Sequence, residues 1–75
     1  TIQYSKQAVK FLSKQDKMTQ MRIISAINQL PNGNVKKLQG RTGYRLLVGN
    51  FRVIFDFSGN IICINEIDNR GQIYK

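Results

Sequence analysis

Residues 43–57 read Gly43-Tyr44-Arg45-Leu46-Leu47-Val48-Gly49-Asn50-Phe51-Arg52-Val53-Ile54-Phe55-Asp56-Phe57. β-Branched and aromatic side chains flank a Gly-Asn pair, and that pattern predicts a β-hairpin closed by a two-residue turn. Such a turn sets Val48 opposite Phe51, Leu46 opposite Val53 and Tyr44 opposite Phe55. Side chains alternate between the two faces of a sheet. One face then carries Tyr44, Leu46, Val48, Phe51, Val53, Phe55 and Phe57, has no charge, and is expected to lie on the core. The other carries Arg45, Leu47, Arg52, Ile54 and Asp56. Its two arginines stand about one strand spacing apart, and it is the expected working surface.

Upstream of the hairpin the period changes. Thr1–Tyr4 fits a short strand. Ser5 predicts the N-cap of a helix through Ala8, Val9, Phe11 and Leu12, ending near 13–15. Asp16 predicts the cap of a second, longer helix whose Met18, Met21, Ile23, Ile24, Ile27 and Leu30 form a wide apolar stripe, expected to pack in the core. Lys10, Lys14, Lys17 and Arg22 are expected on exposed parts of these helices. Pro31-Asn32-Gly33-Asn34 ends that helix in a loop. Residues 35–42, Val-Lys-Lys-Leu-Gln-Gly-Arg-Thr, are expected to connect the helices to the hairpin, with Leu38 as the anchor.

Downstream, Ser58-Gly59-Asn60 signals another turn, and Ile61–Ile67 a third strand. Four successive apolar residues, Ile61 to Ile64, predict a central strand buried on both faces. The predicted fold is α+β: a short N-terminal strand, then two helices packed on an antiparallel β-meander. The register of the last strand stays open. A two-residue turn at 58–60 puts Arg70 on the core side, whereas a three-residue turn with a bulge puts it beside Arg45 and Arg52.

The chain has 75 residues, with 12 Lys and Arg against 4 Asp and Glu, a net charge of +8 and no His. That length predicts one small domain over 1–75, burying roughly 60% of its unfolded surface. The charge favours polyanions: nucleic acid, an anionic membrane surface or an acidic protein segment. Lys dominates the first half, while Arg41, Arg45, Arg52 and Arg70 dominate the second. Arg is the better bidentate ligand for phosphate. A single cysteine, Cys63, excludes a disulfide and a cysteine-based zinc site, and is expected to be a small core residue. No apolar run approaches the ~18 residues that would cross a membrane, so a cytoplasmic protein is expected.

Without His there is no His-based acid–base pair and no Ser-His or Cys-His nucleophile. Neither a P-loop nor a G-x-S-x-G elbow is present. Of the four acids, Asp16 is a cap, and Asp56, Glu66 and Asp68 make a weak metal set. No metal or cofactor is expected. A basic sheet face with tyrosines suits a phosphodiester backbone. RNA also carries its own nucleophile, the 2′-hydroxyl. A protein then has only to align it, neutralise the phosphorane and help move protons. Arg does the second task well and the third badly. Tyr can protonate a leaving oxygen if cations lower its pKa. Such a site is strong in electrostatics and poor in acid–base groups, so little activity on free RNA is expected.

The segments Val35–Gly40, Tyr44-Arg45-Leu46, Val48–Phe55, Ile67-Asp68-Asn69-Arg70 and Tyr74, in that order, resemble the RelE/ParE superfamily of bacterial toxins, on the RelE side. The resemblance spans nearly the whole chain. It implies a compact microbial-RNase-like fold and a type II toxin: a metal-independent endoribonuclease that cuts mRNA in the ribosomal A site, leaves a 2′,3′-cyclic phosphate and inhibits translation. It also implies a cognate antitoxin as partner, and an acidic one suits the charge. By the same resemblance Arg52 is the main phosphate-binding arginine, and Arg45 a basic residue near the scissile phosphate. Arg70 is a third arginine, and Tyr74 stacks on or protonates the substrate. Leu47 stands where RelE toxins carry a second lysine, a general base, and Asp68 where some carry a further arginine.

Simpler readings accompany each residue. Arg52 can pair with Asp56 on its own strand, Arg70 can be a solvated residue, and Tyr74 can pack the C-terminal segment. Lys36, Lys37 and Arg41 are expected to add non-specific RNA affinity. Two other functions fit the same fold: a ParE-like inhibitor of DNA gyrase and a non-catalytic RNA-binding module.

Overall fold

A computed structural model describes residues 1–69, and Arg70–Lys75 lie outside the described residues. The elements are β1 (Ile2–Tyr4), α1 (Lys6–Ser13), α2 (Lys17–Asn28), β2 (Val35–Lys37), β3 (Tyr44–Val48), β4 (Phe51–Ser58) and β5 (Ile61–Asn69). Five strands form one sheet in the order β1-β5-β4-β3-β2. The α+β arrangement of the expectation holds. β1, however, pairs with β5 in parallel, Tyr4 beside Ile64, so one edge of the meander has a parallel strand.

Both helices start where their caps predict. The Ser5 hydroxyl accepts the Ala8 N–H and the Asp16 carboxylate accepts the Thr19 N–H, each satisfying an otherwise orphaned amide. Hydrogen bonding to Thr19 holds the Asp16 carboxyl below its ordinary pKa. Where α1 turns into α2, the Gln20 amide donates to Leu12 O (2.8 Å) and Gln15 O (3.2 Å), closing the end of the first helix with a side chain of the second.

The helices cover one face of the sheet. Ala8 and Leu12 of α1 and Ile23 and Ile27 of α2 pack on Leu46, Val48, Val53, Phe55, Ile64 and Ile67. Phe11 meets Phe51 edge-on, with ring centroids 6.0 Å apart. Burial also pushes the Tyr4 phenol up.

The β3–β4 hairpin has the predicted register: Tyr44–Phe55, Leu46–Val53 and Val48–Phe51. Gly49 leads its turn at φ +57°, and Gly59 leads the β4–β5 turn at φ +60°. Each supplies the left-handed residue that a Gly-first two-residue turn requires.

Several expectations are corrected. Val35–Lys37 is not a connector but a strand, with Lys36 opposite Arg45 and Lys37 opposite Tyr44. Met18 (79% exposed), Met21 and Ile24 point outward instead of into the core, as does Val9. Beneath α2 the sheet takes Ile23 and Ile27, with Ala26 and Leu30 packed beside them. Phe57 is 48% exposed because β4 runs past the cover of the helices, while Ile54, assigned to the charged face, is 3% exposed. Cys63 pairs with Asp56 on that same face and is half-buried, outside the core. Ile61, Ile62 and Cys63 are half-buried too, so only Ile64 of that run is fully enclosed.

For the last strand, the turn is the two-residue alternative, but the strand does not run on in its register, and the side taken by Arg70 lies outside the described residues. The β4–β5 turn has two residues, Ser58 pairing with Ile61, yet the register shifts mid-strand: Phe55 pairs with Ile64 and Ile54 with Glu66. Asn65 is the extra residue of a bulge. It turns Ile67 into the core and sends Glu66 and Asp68 to the opposite face. Beyond Tyr4 there is no β1 to complete this edge of β5, and helix α1 supplies the partners. The Ser5 hydroxyl donates to Asn65 O (2.8 Å), and the Gln7 amide both donates to Ile67 O and accepts Ile67 N–H (2.9 Å each).

Candidate nucleic-acid interface

The face turned away from the helices is built from three rows of side chains across the strands. One row runs Lys36, Arg45, Ile54, Glu66, and the next runs Leu47, Arg52, Asp68. A third holds Gly43, Asp56, Cys63. Arg45 and Arg52 share the face but occupy diagonal positions, for which the Cβ separation is roughly 7–8 Å. Both are half-buried, and Ile54, opposite Arg45 and two residues from Arg52 on the same face, is 3% exposed.

Arg52 is the most constrained of these cations. Its Nε is buried and makes no hydrogen bond, although a buried polar group is ordinarily paired. No ion pair with Asp56 forms among the described residues, so the simpler reading of Arg52 does not account for its setting. Asp68, directly opposite, instead accepts the Asn69 N–H at 2.8 Å.

The face is less basic than the sequence predicts. Lys36, Arg45 and Arg52 are matched in number by Asp56, Glu66 and Asp68. The cations lie toward β2, β3 and β4 and two of the acids on β5, so the sheet is polarised across its width. The positive excess of the described residues resides elsewhere. Lys6, Lys10, Lys14, Lys17 and Arg22 stand exposed on the helical layer, where Asp16 is the single acid. Lys6, Lys10 and Lys14 recur at the i, i+4 spacing that aligns them along one side of α1.

Of the other expected RNA-binding residues, Lys36 adjoins Arg45 on the sheet face. Lys37 alternates to the opposite side, and Arg41 is exposed in the 38–43 loop. Arg70 and Tyr74 lie outside the described residues. Sequence reasoning missed the acidic half of the face and a groove at the open end of the hairpin. That groove, about 330 Å³, is lined by Lys37, Thr42, Gly43, Tyr44, Asp56 and Phe57. Phe57 is clamped there by edge contacts to Tyr44 (5.6 Å) and Phe55 (5.8 Å), and Tyr44 stacks on Phe55 at 5.6 Å. The signal available was the strand end itself, where alternation continues after the covering layer has stopped.

No family model and no curated protein matches the sequence. Solved structures do match. A chain of the RelB–RelE antitoxin–toxin complex from Methanococcus jannaschii is 27% identical, with 97% of this chain and 95% of that one covered and a TM-score of 0.74. A chain of the archaeal RelE–RelB complex from Pyrococcus horikoshii OT3 is 25% identical, with 95% and 94% covered and a TM-score of 0.78. YafQ from E. coli shares the fold at 18% identity, with 100% and 98% covered and a TM-score of 0.64.

Proposed function

For a chain that has the RelE-like toxin fold, we propose that residues 1–75 act as one domain, the toxin of a type II toxin–antitoxin system. Its activity is that of a metal-independent endoribonuclease cutting mRNA in the ribosomal A site, in the cytoplasm. The observation that carries this reading is the Arg45–Arg52 pair on one open sheet face, with the Arg52 Nε buried and without a partner. A guanidinium with a spare, desolvated donor is suited to the oxygens of a phosphate.

In the reaction the RNA 2′-oxygen forms a bond to the adjacent phosphorus as the P–O5′ bond breaks, giving a 2′,3′-cyclic phosphate and a free 5′-hydroxyl. Arg52 and Arg45 hold the phosphate and stabilise the charge that builds on its oxygens. The leaving 5′-oxygen takes a proton from Tyr74, and Arg70 adds a third cation, both roles resting on the family resemblance. Leu47 cannot accept the 2′-proton. On the same face Glu66 and Asp68 offer carboxylates that can. A site with so few acid–base groups depends on the ribosome to align the mRNA. The lysines of the helical layer, with Lys36, Lys37 and Arg41, supply the sequence-independent attraction to RNA backbone.

The partner is a cognate acidic antitoxin. The two archaeal structures hold a RelB–RelE pair. Here the exposed Met18, Met21 and Ile24 among Lys17 and Arg22 offer an apolar and cationic surface to an acidic, amphipathic segment.

The test is a reconstituted translation reaction read by primer extension. New 5′ ends are expected within translated codons and absent with Arg52→Ala. Cleavage that survives Arg52→Ala defeats the assignment. Inhibition of gyrase supercoiling without new RNA ends replaces it with the ParE-like reading, and salt-sensitive binding alone with that of a binding module.

A further inference from the structure

We infer that the groove at the open end of the hairpin is a nucleobase subsite, in which Phe57 stacks a base, Asp56 accepts its exocyclic amino group and Lys37 holds the adjoining phosphate. The inference rests on the reading of the chain as an RNA-cutting toxin.

Phe57 is the starting point. Phe57 leaves about half of its surface open to solvent, at 48% exposure, yet its ring is held by two edge contacts, to Tyr44 and Phe55. A rigid aromatic with an open side is a stacking platform, and stacking on aromatic side chains is how proteins hold unpaired bases. The groove that Phe57 walls is not purely apolar. It contains one cation, Lys37, and one carboxylate, Asp56. Those two groups match the two chemistries of a nucleotide: a negative phosphate and a hydrogen-bond-donating base edge. A carboxylate accepts from the amino groups of cytosine, adenine and guanine, whereas uracil has none to offer. The subsite therefore selects amino-bearing bases over uracil.

Its position fits the phosphate site. Gly43 and Asp56 form the row next to Arg45 and Ile54, two residues along the strands or roughly 7 Å away. Asp56 shares the face of Arg45, while Lys37 and Phe57 stand on the face of Tyr44, so an RNA strand whose phosphate lies at Arg45 enters the groove by passing around the open end of the hairpin. The tight approach at Gly43 contributes as well. A Cβ there would stand 3.2 Å from Phe55 O at φ +113°, so only glycine keeps that wall of the groove flat.

The chain has three tyrosines but no tryptophan, and Phe57→Trp therefore places its single tryptophan, excited selectively at long wavelength, on the platform. Tetranucleotides of cytidine, adenosine and uridine, with an abasic ribose-phosphate tetramer, are titrated against this variant at low salt. Quenching by oligo-C and oligo-A, with oligo-U and the abasic tetramer binding roughly tenfold or more weakly, supports the subsite. Asp56→Asn in the same background is expected to reduce the discrimination against uridine. Equal response to all four tetramers reduces the groove to a charge effect and overturns the inference, as does no response to any. An mRNA cleavage assay run beside the titration separates the two readings. If the wild-type chain cuts mRNA but Phe57→Trp is not quenched, the subsite fails alone. If quenching persists while no variant or wild type ever cuts, the endonuclease reading fails and the base site stands.

Discussion

Arg52 on β4 stands directly opposite Asp68 on β5, and no ion pair joins them among the described residues. The Asp68 carboxylate is engaged by the Asn69 amide, and the Arg52 Nε is left buried with no acceptor. A donor in that state destabilises the fold by about 1–3 kcal/mol relative to a satisfied one. The cost makes sense if the acceptor is brought by a ligand.

The first prediction separates stability from function at this position. Arg52→Met keeps an unbranched side chain and removes the orphaned donor. Its melting temperature is expected to rise, by about 4–8 °C for each kcal/mol recovered in a domain of this size, while mRNA cleavage is lost. Arg52→Lys is expected to lose most cleavage as well, because a point charge does not replace a two-pronged donor. A fall in melting temperature with Arg52→Met shows the guanidinium to be structural.

A second prediction concerns the two sides of α2. Ile23→Ala removes a side chain with no exposed surface and is expected to cost about 2–5 kcal/mol. Met18→Ser, at 79% exposure, is expected to lie within about 0.5 kcal/mol of the parent. Urea unfolding of both variants measures the difference. If Met18→Ser matches Ile23→Ala, the outward placement of that methionine is wrong.

The contrast shows what was legible. The hairpin could be read because a glycine-led turn and strict alternation specify one register, and the helix starts because Ser5 and Asp16 each satisfy a particular amide. The exposure of Met18 and Met21 could not be read. Apolar spacing identifies a helix face but not whether anything covers it, and the sheet beneath α2 is short. β2 was hidden because Lys36 and Lys37 have weak strand propensity and pair only at an edge. The bulge left a trace that alternation alone overlooks. Continuing the register of the Gly59-Asn60 turn would set Glu66 against Val53 inside the core, an unpaired buried carboxylate. One extra residue, Asn65, removes that conflict. It also moves two acids onto the arginine face, which is why the site is less basic than composition implies.

Deletion of Asn65 tests that account. Asn65 is the unpaired residue, so its removal joins Ile64 to Glu66 and leaves Glu66 opposite Ile54 and Ile67 opposite Val53 in an unbroken ladder. The deletion variant is therefore expected to keep cooperative unfolding and near-ultraviolet dichroism, with Glu66 still outside the core. A deletion that abolishes the folding transition sinks the assignment of Asn65 as the extra residue.

A pH dependence follows from the second helix cap. Hydrogen bonds from Thr19 lower the pKa of Asp16 in the folded chain, so the folded state favours the ionised form. That contribution is present above the unfolded carboxylate pKa, about 3.9, and is lost as pH falls through the depressed folded value. Asp16→Asn keeps a capping oxygen but does not titrate. Its melting temperature relative to the parent is expected to rise as pH is lowered from 6 to 2, and a constant difference contradicts the linkage.

The bulge needs a partner on its outer edge, and Gln7 provides it. β1 ends at Tyr4, so the backbone of Ile67 faces a helix where a strand would otherwise run, and one side-chain amide meets both its N–H and its C=O. Gln7→Ala leaves both groups unpaired in a part-buried place and is expected to cost about 2 kcal/mol, with faster hydrogen exchange at the Ile67 amide. Gln7→Glu discriminates further. An ionised Glu still accepts the Ile67 N–H but repels the Ile67 carbonyl, and a protonated one can donate to it. Compared with the parent at the same pH, the Gln7→Glu deficit is therefore expected to shrink as pH falls through about 4.3, the ordinary glutamate pKa. A deficit that does not change with pH means that the carbonyl is satisfied some other way, and that Gln7 holds β5 by the Ile67 amide alone.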